Sequence, residues 1–516
     1  MIIFRIFAAF MLQIFKMKRI TFILFISISI LTFFVSGCKK DNITTIDNGN
    51  EDTENQDDYI DSTTFTQNVY ITFSSGNVSV TGTNSDFSVT TDGSGVTITY
   101  SGSENVKYYL SGTASDGFFK LYSSQRQAIV LENAYISNSS GAAVNIQSSK
   151  RTFIVINGDN TLADGSSYST TSGEDEKAAL FSEGQLIFSG DGTLTVNAKG
   201  KSGIVSDEYI IFNGGTINIT VSSSAFYDSD NNEYKGTAGI KADSWLKIKD
   251  GSITITNSGT GGKGISCDGS GYLTGGTVRV TTTGYNHTAG DISAKAIKFD
   301  GNLTFSGSKV VASCNAHEGI EAKGTITISG GEVYSYSAQD DAINSGGTFT
   351  ISGGYVYGYA PNNDALDANG NFYITGGTTY AIGASSPEVA IDANTEDGYK
   401  LYVQGGTLIA IGGLESNSSL SQNCYYTSSW TKNTWYAITV GSTTYAFKTP
   451  SSGGSNIVVS GSSTPTLKKG VSVNGGTSYF EELFYSGASV SGGESVTLSS
   501  YSGGGNGPGG GGGPGH

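Results

Sequence analysis

The sequence predicts an all-β protein: a right-handed parallel β-helix of about 23 residues per coil, closed by N- and C-terminal β caps. Three observations carry that expectation. The first is composition: Gly is 73 of 516 residues, Pro only 6, and Tyr and Phe number 29 and 25. Abundant Gly and aromatics with scarce Pro suit short strands joined by tight turns. They exclude collagen, coiled coil and a mainly helical chain. The second is a repeated phrase, apolar-x-Gly-Gly-x-apolar, seen at Phe212–Ile217, Ile328–Val333 and Ile351–Val356, with the second glycine or its equivalent at 308, 331, 354 and 377, spaced 23 apart. The third is a small-aliphatic pair in each period, as in Gly319-Ile320, Ala342-Ile343 and Ala365-Leu366, followed two places later by a small residue such as Ala322, Ser345 or Ala368. That alternation is the period of a strand with one face inward. A period of 23 is too short for a propeller blade and too poor in Leu for a leucine-rich repeat.

Taken in chain order, residues 1–37 read as a secretory signal. Lys18 and Arg19 precede the apolar run Ile20 to Val35, and Val35-Ser36-Gly37-Cys38 resembles a bacterial lipobox, whose Cys is lipidated. Met17 is the expected true start. Residues 38–65 form an acidic tether: Asp41 to Asp61 carries eight carboxylates and no Lys or Arg, and is expected to stay extended. Residues 66–125 alternate as strands and are expected to cap the N-terminal end. Residues 126–416 hold the repeats, with insertions at 226–235 and 285–293 that both precede the small-aliphatic pair and so protrude at one corner, suggesting one functional face. Residues 417–502 lose the period, gain Trp430 and Trp435, and read as a C-terminal β cap. Residues 503–516 are a Gly-rich tail expected to be disordered. Cys267, Cys314 and Cys424 are odd in number and read as buried small residues rather than a disulfide framework.

Charge narrows the function. A net charge of −16 argues against a nucleic-acid partner and permits cation binding. Residues at one phase of successive repeats stack, so the acidic columns stand out: Glu318, Asp341 and Asp364; Glu321, Asn344, Asp367 and Asp392; and Asp340, Asn363 and Glu388. Like charges at strand spacing are destabilising. A hard divalent ion relieves them, and Ca2+ takes six to eight oxygens from carboxylates, amides and carbonyls. Ca2+ is therefore the expected cofactor; a solvated acidic edge is the plainer alternative. A further column, Glu183, Asp207, Asp243, Asp268 and Asp300, is interspersed with Lys241, Lys263, Lys295 and Lys298, where ion pairing suffices. Zinc is not indicated, because His287, His317 and His516 are the only imidazoles and none has Cys at ligand spacing.

The stretches Asn160 to Ser169 and Ala178 to Ser182, the phrases Asp341-Ala342-Ile343-Asn344 and Asp364-Ala365-Leu366-Asp367, and the Gly-Gly repeats resemble a bacterial family of calcium-binding, carbohydrate-binding parallel β-helix surface proteins. The resemblance spans about residues 70 to 500. It implies a polysaccharide-lyase-like fold, display on the cell surface, and binding of plant polysaccharides such as acidic pectin or cellulose. It assigns calcium roles to Glu318, Asp341, Asp364, Asp367 and their in-register neighbours. The acidic pattern is broken at Val389, Ala178, Ser202, Ala238, Lys263 and Lys295.

Three functions follow. The first is a lipoprotein of the outer membrane or cell surface that binds polysaccharide on a calcium-loaded β-helix, with Tyr334, Tyr336, Tyr355 and Tyr357 facing outward to meet sugar rings. The second is a calcium-dependent, pectate-type lyase, which needs a base of lowered pKa such as Lys295, Lys298, Lys323 or Arg279. The third is a non-catalytic adhesin.

Overall fold

The structure is a computed structural model that describes residues 55–169, 173–229 and 232–503. The signal, Cys38, most of the tether and residues 504–516 lie outside the described residues.

Strand ladders follow the sequence period. The aliphatic positions pair in parallel from repeat to repeat: Ile297 with Ile320, Ile320 with Ile343, and Ile343 with Leu366, and a bridge then joins Leu366 to Ile391. A second ladder runs Ile326, Phe349, Phe372, Leu401, and a third Val310, Val333, Val356. All of these side chains are fully buried in one elongated core. Alternate positions are half-exposed, giving the buried–open–buried pattern of short strands such as Ile320–Ala322. The paired glycines have a steric cause. A Cβ on Gly330 would lie 2.3 Å from the carbonyl oxygen of Ser306 in the preceding repeat, and Gly331 takes a left-handed φ of 82°.

The expected right-handed parallel β-helix is not the architecture found. Among the described residues the protein is all-β, 56% strand and without α-helix, organised as a six-stranded parallel barrel with many sheets. Among these are a 26-stranded sheet, a 12-stranded sheet and a separate closed barrel of four strands. The reason is physical: spacing along the chain determines which residues fall in register, but not the hand or closure of the connections between strands.

Segment boundaries also shift. Within 66–125, Gln67–Ser74 and Gly95–Tyr100 enter the same parallel ladders as the repeats, through Val106–Ala114 and Phe119–Ser123. Residues 55–65, placed in the extended tether by their charge, are instead docked. Asp57 pairs with Arg126 at 2.9 Å, Asp58 with Arg151 at 3.2 Å, and the Tyr209 hydroxyl donates to Asp58 at 2.8 Å. Ile60 and Phe65 pack against Phe153, Ile187 and Ile211. Opposite charge supplied by the repeats captures a segment that reads as self-repelling in isolation. At the other end, Cys424–Thr427 and Ile457–Ser460 add antiparallel strands, while Trp435–Val440, Thr443–Lys448, Thr466–Tyr479 and Phe484–Val496 form the four-stranded barrel. Cys267, Cys314 and Cys424 are buried free thiols.

Candidate functional site

The acidic columns fall on and beside the strands Ile320–Ala322, Ile343–Ser345 and Leu366–Ala368, and the structure divides them into two groups. In the upstream group, buried Glu318 accepts from Lys295 Nζ at 3.0 Å and pairs closely with His317 Nδ1. Lys295 also reaches Glu321 at 2.6 Å, and His317 reaches Asp340 Oδ2 at 2.9 Å. Asn363 donates to Asp340 Oδ1 at 2.7 Å. Burial opposes the charge of His317, but hydrogen bonds and charge from Asp340 and Glu318 outweigh it and raise the imidazole pKa to about 9. Burial likewise opposes ionisation of Asp340, and the His317 contact overrides it, lowering the carboxyl to about 2. Two protein cations therefore satisfy Glu318, Glu321 and Asp340. His317, Glu318 and Asp340 come within 4.8 Å of one another, as metal ligands do, yet an imidazolium already bridges them.

The downstream group has no such cation. Asp341 and Asp364 are buried, and Asp364, Asp367 and Asp392 place oxygens within 4.8 Å of one another. Asn344 Nδ2 donates to Asp341 Oδ2 at 3.0 Å and to Asp367 Oδ2 at 3.2 Å, tying the two phases together. The Val389 amide donates to Asp364 Oδ1 at 2.5 Å. Asp341 Oδ1 is buried with no hydrogen-bond partner. Glu388 is half-buried and adds its charge to Asp364 and Asp367. Asp392 is hydrogen-bonded to Glu415. Among the described residues, none of Asp341, Asp364, Asp367, Glu388, Asp392 and Glu415 pairs with Lys, Arg or His. Burial, then mutual repulsion, pushes Asp341 well above the usual carboxylate range. Burial also raises Asp364 well above it and Asp367 to about 6. These oxygens suit a hard cation.

Glu415 and His317 carry roles that were not assigned from the sequence. Both had a signal: Glu415 lies 23 residues after Asp392, and His317 lies 23 before Asp340. The column Asp207, Asp243, Asp268 and Asp300 is ion-paired, with Lys177 to Asp207 at 2.7 Å, Lys241 to Asp243 and Asp268 at 2.5 and 3.1 Å, and Lys298 and Lys323 both at 2.8 Å from Asp300.

The tyrosines do not form an open platform. Tyr357 is buried, Tyr334 stacks on it at 4.7 Å, and Tyr355 stacks on Tyr479 at 3.6 Å. The turn between the two long barrel strands docks here: the Phe480 amide donates to Glu332 at 2.7 Å and Glu481 pairs with Arg279 at 3.0 Å. Tyr336 stays half-exposed beside Tyr359. The expectation of four outward rings is corrected, because a segment distant in sequence covers this face.

Residues 92–359, just over half of the chain, match the family of carbohydrate-binding domain-containing proteins. The chain belongs to that family. The matched span includes Lys295, His317, Glu318, Glu321 and Asp340 of the upstream group and, downstream, Asp341 and Asn344. Among solved structures, a gadolinium derivative of a polysaccharide lyase-like protein from C. thermocellum is similar, at 21% identity and a TM-score of 0.40, over 51% of this chain and 96% of that one. No curated protein matches the chain.

Proposed function

We propose that the protein is a lipid-anchored surface protein that binds polysaccharide and holds Ca2+ in its downstream carboxylate group. Membership of a carbohydrate-binding family supports polysaccharide as the partner. The observation that carries the metal reading is Asp341 Oδ1, buried and unpartnered among carboxylates that no protein cation neutralises. Asp341, Asn344, Asp364, Asp367, Asp392 and Glu415 would hold the ion. Bound calcium supplies positive charge where this acidic chain has none, with coordination positions that carboxylates of a pectin-type glycan can share. Without it, a chain at −16 repels polygalacturonate. Lipidation at Cys38, after Ser36-Gly37, supplies the membrane attachment in this reading.

The test is a glycan array with and without EDTA. Polygalacturonate binding is expected to vanish on chelation, and equal binding without divalent ion overturns the calcium reading. For the anchor, Cys38→Ala is expected to abolish acyl labelling, and labelling that persists overturns it.

One observation favours a second reading, the pectate-type lyase. Lys295 is held protonated between Glu318 and Glu321, Lys298 and Lys323 share Asp300, and Arg279 pairs with Glu481, so none of them is a free base. Lys263 differs: burial, then the charges of Lys298 and Lys295, lower its pKa to about 8. Ultraviolet absorbance of unsaturated uronate, present in the wild type and lost in Lys263→Met, is the result this reading requires.

A further inference from the structure

Seven large apolar or aromatic side chains are strongly exposed among the described residues, and three of them, Tyr227, Tyr234 and Tyr285, fall in the two insertions. The first insertion is an antiparallel hairpin, Phe226–Asp228 with Glu233–Lys235. The second turns back through the His287–Ile292 bridge and a short 3-10 turn, Thr288–Gly290. The two are in contact. Tyr234 lies 5.0 Å from the His287 ring, and a Cβ on Gly290 would strike Tyr234 Cβ at 2.4 Å. Tyr227 sits edge-on to Tyr234, centroids 5.2 Å apart, its hydroxyl donating to Asn232 at 2.6 Å. Tyr285 is anchored by its backbone, whose carbonyl accepts from the Gly261 amide at 2.7 Å, while 75% of the residue faces solvent.

Nothing in the described residues covers these rings, and their exposure opposes the hydrophobic effect unless a ligand uses it. The two insertions carry Asp228, Asp230, Glu233 and Asp291 against a single lysine, Lys235, so the corner is acidic and disfavours an anionic ligand. Lys235 pairs with Asp228 at 2.6 Å, and Lys201 lies over the Phe226 and Tyr168 rings while donating to the Glu176 carbonyl at 2.6 Å. A ligand with flat apolar faces, peripheral hydroxyls and no charge fits this surface, and a neutral pyranose chain has that chemistry. Both insertions lie inside the span that matches the carbohydrate-binding family. Repeat insertions gathered at one corner commonly form a binding face.

We propose that the corner built by Phe226–Asp228, Glu233–Lys235 and residues 285–293 is a sugar-binding site in which Tyr227, Tyr234 and Tyr285 stack on the pyranose rings of a neutral polysaccharide, independently of the acidic columns. This rests on the reading of the protein as a polysaccharide binder and names where and how a neutral chain docks.

The test compares the wild-type protein with a Tyr227→Ala, Tyr234→Ala, Tyr285→Ala triple variant and a matching triple Tyr→Phe variant. Each is titrated calorimetrically with cello-oligosaccharide in EDTA and with polygalacturonate in calcium. The wild type is expected to bind the neutral oligosaccharide in EDTA. The alanine variant should lose affinity by on the order of tenfold or more, the phenylalanine variant by far less, since stacking needs the ring and not the hydroxyl. Melting temperature and polygalacturonate binding should be unchanged in both. Equal neutral-sugar affinity in wild type and alanine variant overturns the corner while leaving the family-level reading intact. A wild type that binds neither glycan overturns both. Loss of polygalacturonate binding in the alanine variant overturns the independence of the two sites.

Discussion

Two regions of one set of ladders solve the same electrostatic problem in opposite ways. From Asp207 to Asp300, each stacked carboxylate has a lysine close by. From Asp341 to Asp392, carboxylates at neighbouring phases stand together and, among the described residues, pair with no protein cation. Lys295 and His317 mark the boundary, neutralising Glu318, Glu321 and Asp340. Repetition of a backbone thus fixes where charges accumulate, while side-chain choice decides whether the chain or its surroundings supply the counter-charge.

The sharpest way to break the contrast is to remove the boundary cation. Lys295→Met strands Glu321 and leaves Glu318 to His317 alone, the side chains of Lys295, Glu318 and Glu321 being at most 14% exposed. Breaking such a buried pair costs about 3–5 kcal/mol. Chemical denaturation in EDTA should show that loss, and added calcium should recover part of it, because the upstream group then resembles the downstream one. A variant as stable as wild type in EDTA shows that the boundary pair is not what separates the regions.

Removing the proposed calcium comes next. A ligand that binds only the folded form adds about 2.7 kcal/mol at a hundredfold excess over Kd. EDTA should therefore lower the melting temperature of the wild type. In Asp341→Ala with Asp364→Ala, EDTA should have no effect. A wild-type melting curve indifferent to EDTA leaves a solvated acidic edge as the better account.

Proton binding sharpens the same comparison in metal-free protein. Asp341, Asp364, Asp367 and Asp392 have folded-state values above their unfolded ones, Asp367 at about 6. Their stabilising contribution is full below the unfolded carboxyl value near 4 and is lost as pH rises through about 6. In EDTA the melting temperature should fall between pH 5 and pH 8, and calcium should flatten that fall. Stability that rises over this window in EDTA would be contrary to the assigned burial.

The smallest effect belongs to the self-sufficient region. Lys241 is 31% exposed, and its partners Asp243 and Asp268 are 32% and 45% exposed. Lys241→Met should cost about 0.2–1 kcal/mol, shrinking with added salt, as exposed pairs do. Calcium should not change this cost; a calcium-dependent rescue would extend the ion-binding region upstream.

Legibility in the sequence tracks the range of the physics involved. The register of Ile320, Ile343 and Leu366 was readable because pairing repeats at 23 residues and side-chain direction alternates. The overall architecture was not, since the same register is compatible with more than one closure. The stacked carboxylates were readable from phase alone, but their division into two groups depends on where Lys295 and His317 point. Tyr355 and Tyr357 looked open because Tyr479 and Phe480, which cover them, are more than 100 residues away and belong to no period. Asp57 and Asp58 looked solvated because Arg126 and Arg151, their partners, lie in another part of the chain.

The docking of residues 55–65 has a mechanical consequence. Sixteen residues separate Cys38 from Asn55, and their contour cannot exceed roughly 60 Å at about 3.5 Å per residue. In the lipid-anchored form proposed above, tension on the chain enters the folded body at Asp57 and Asp58, where Arg126, Arg151 and Tyr209 grip the chain side by side. The load passes from there into Gln127–Ser137, Thr152–Asn157 and Ile210–Val221, strands buried within the large sheet, and not directly into Gln67–Ser74, the strand that follows the docked segment. Under drag the clasp takes the force first, and the pairing of Gln67–Ser74 with Val106–Ala114 is spared from peeling.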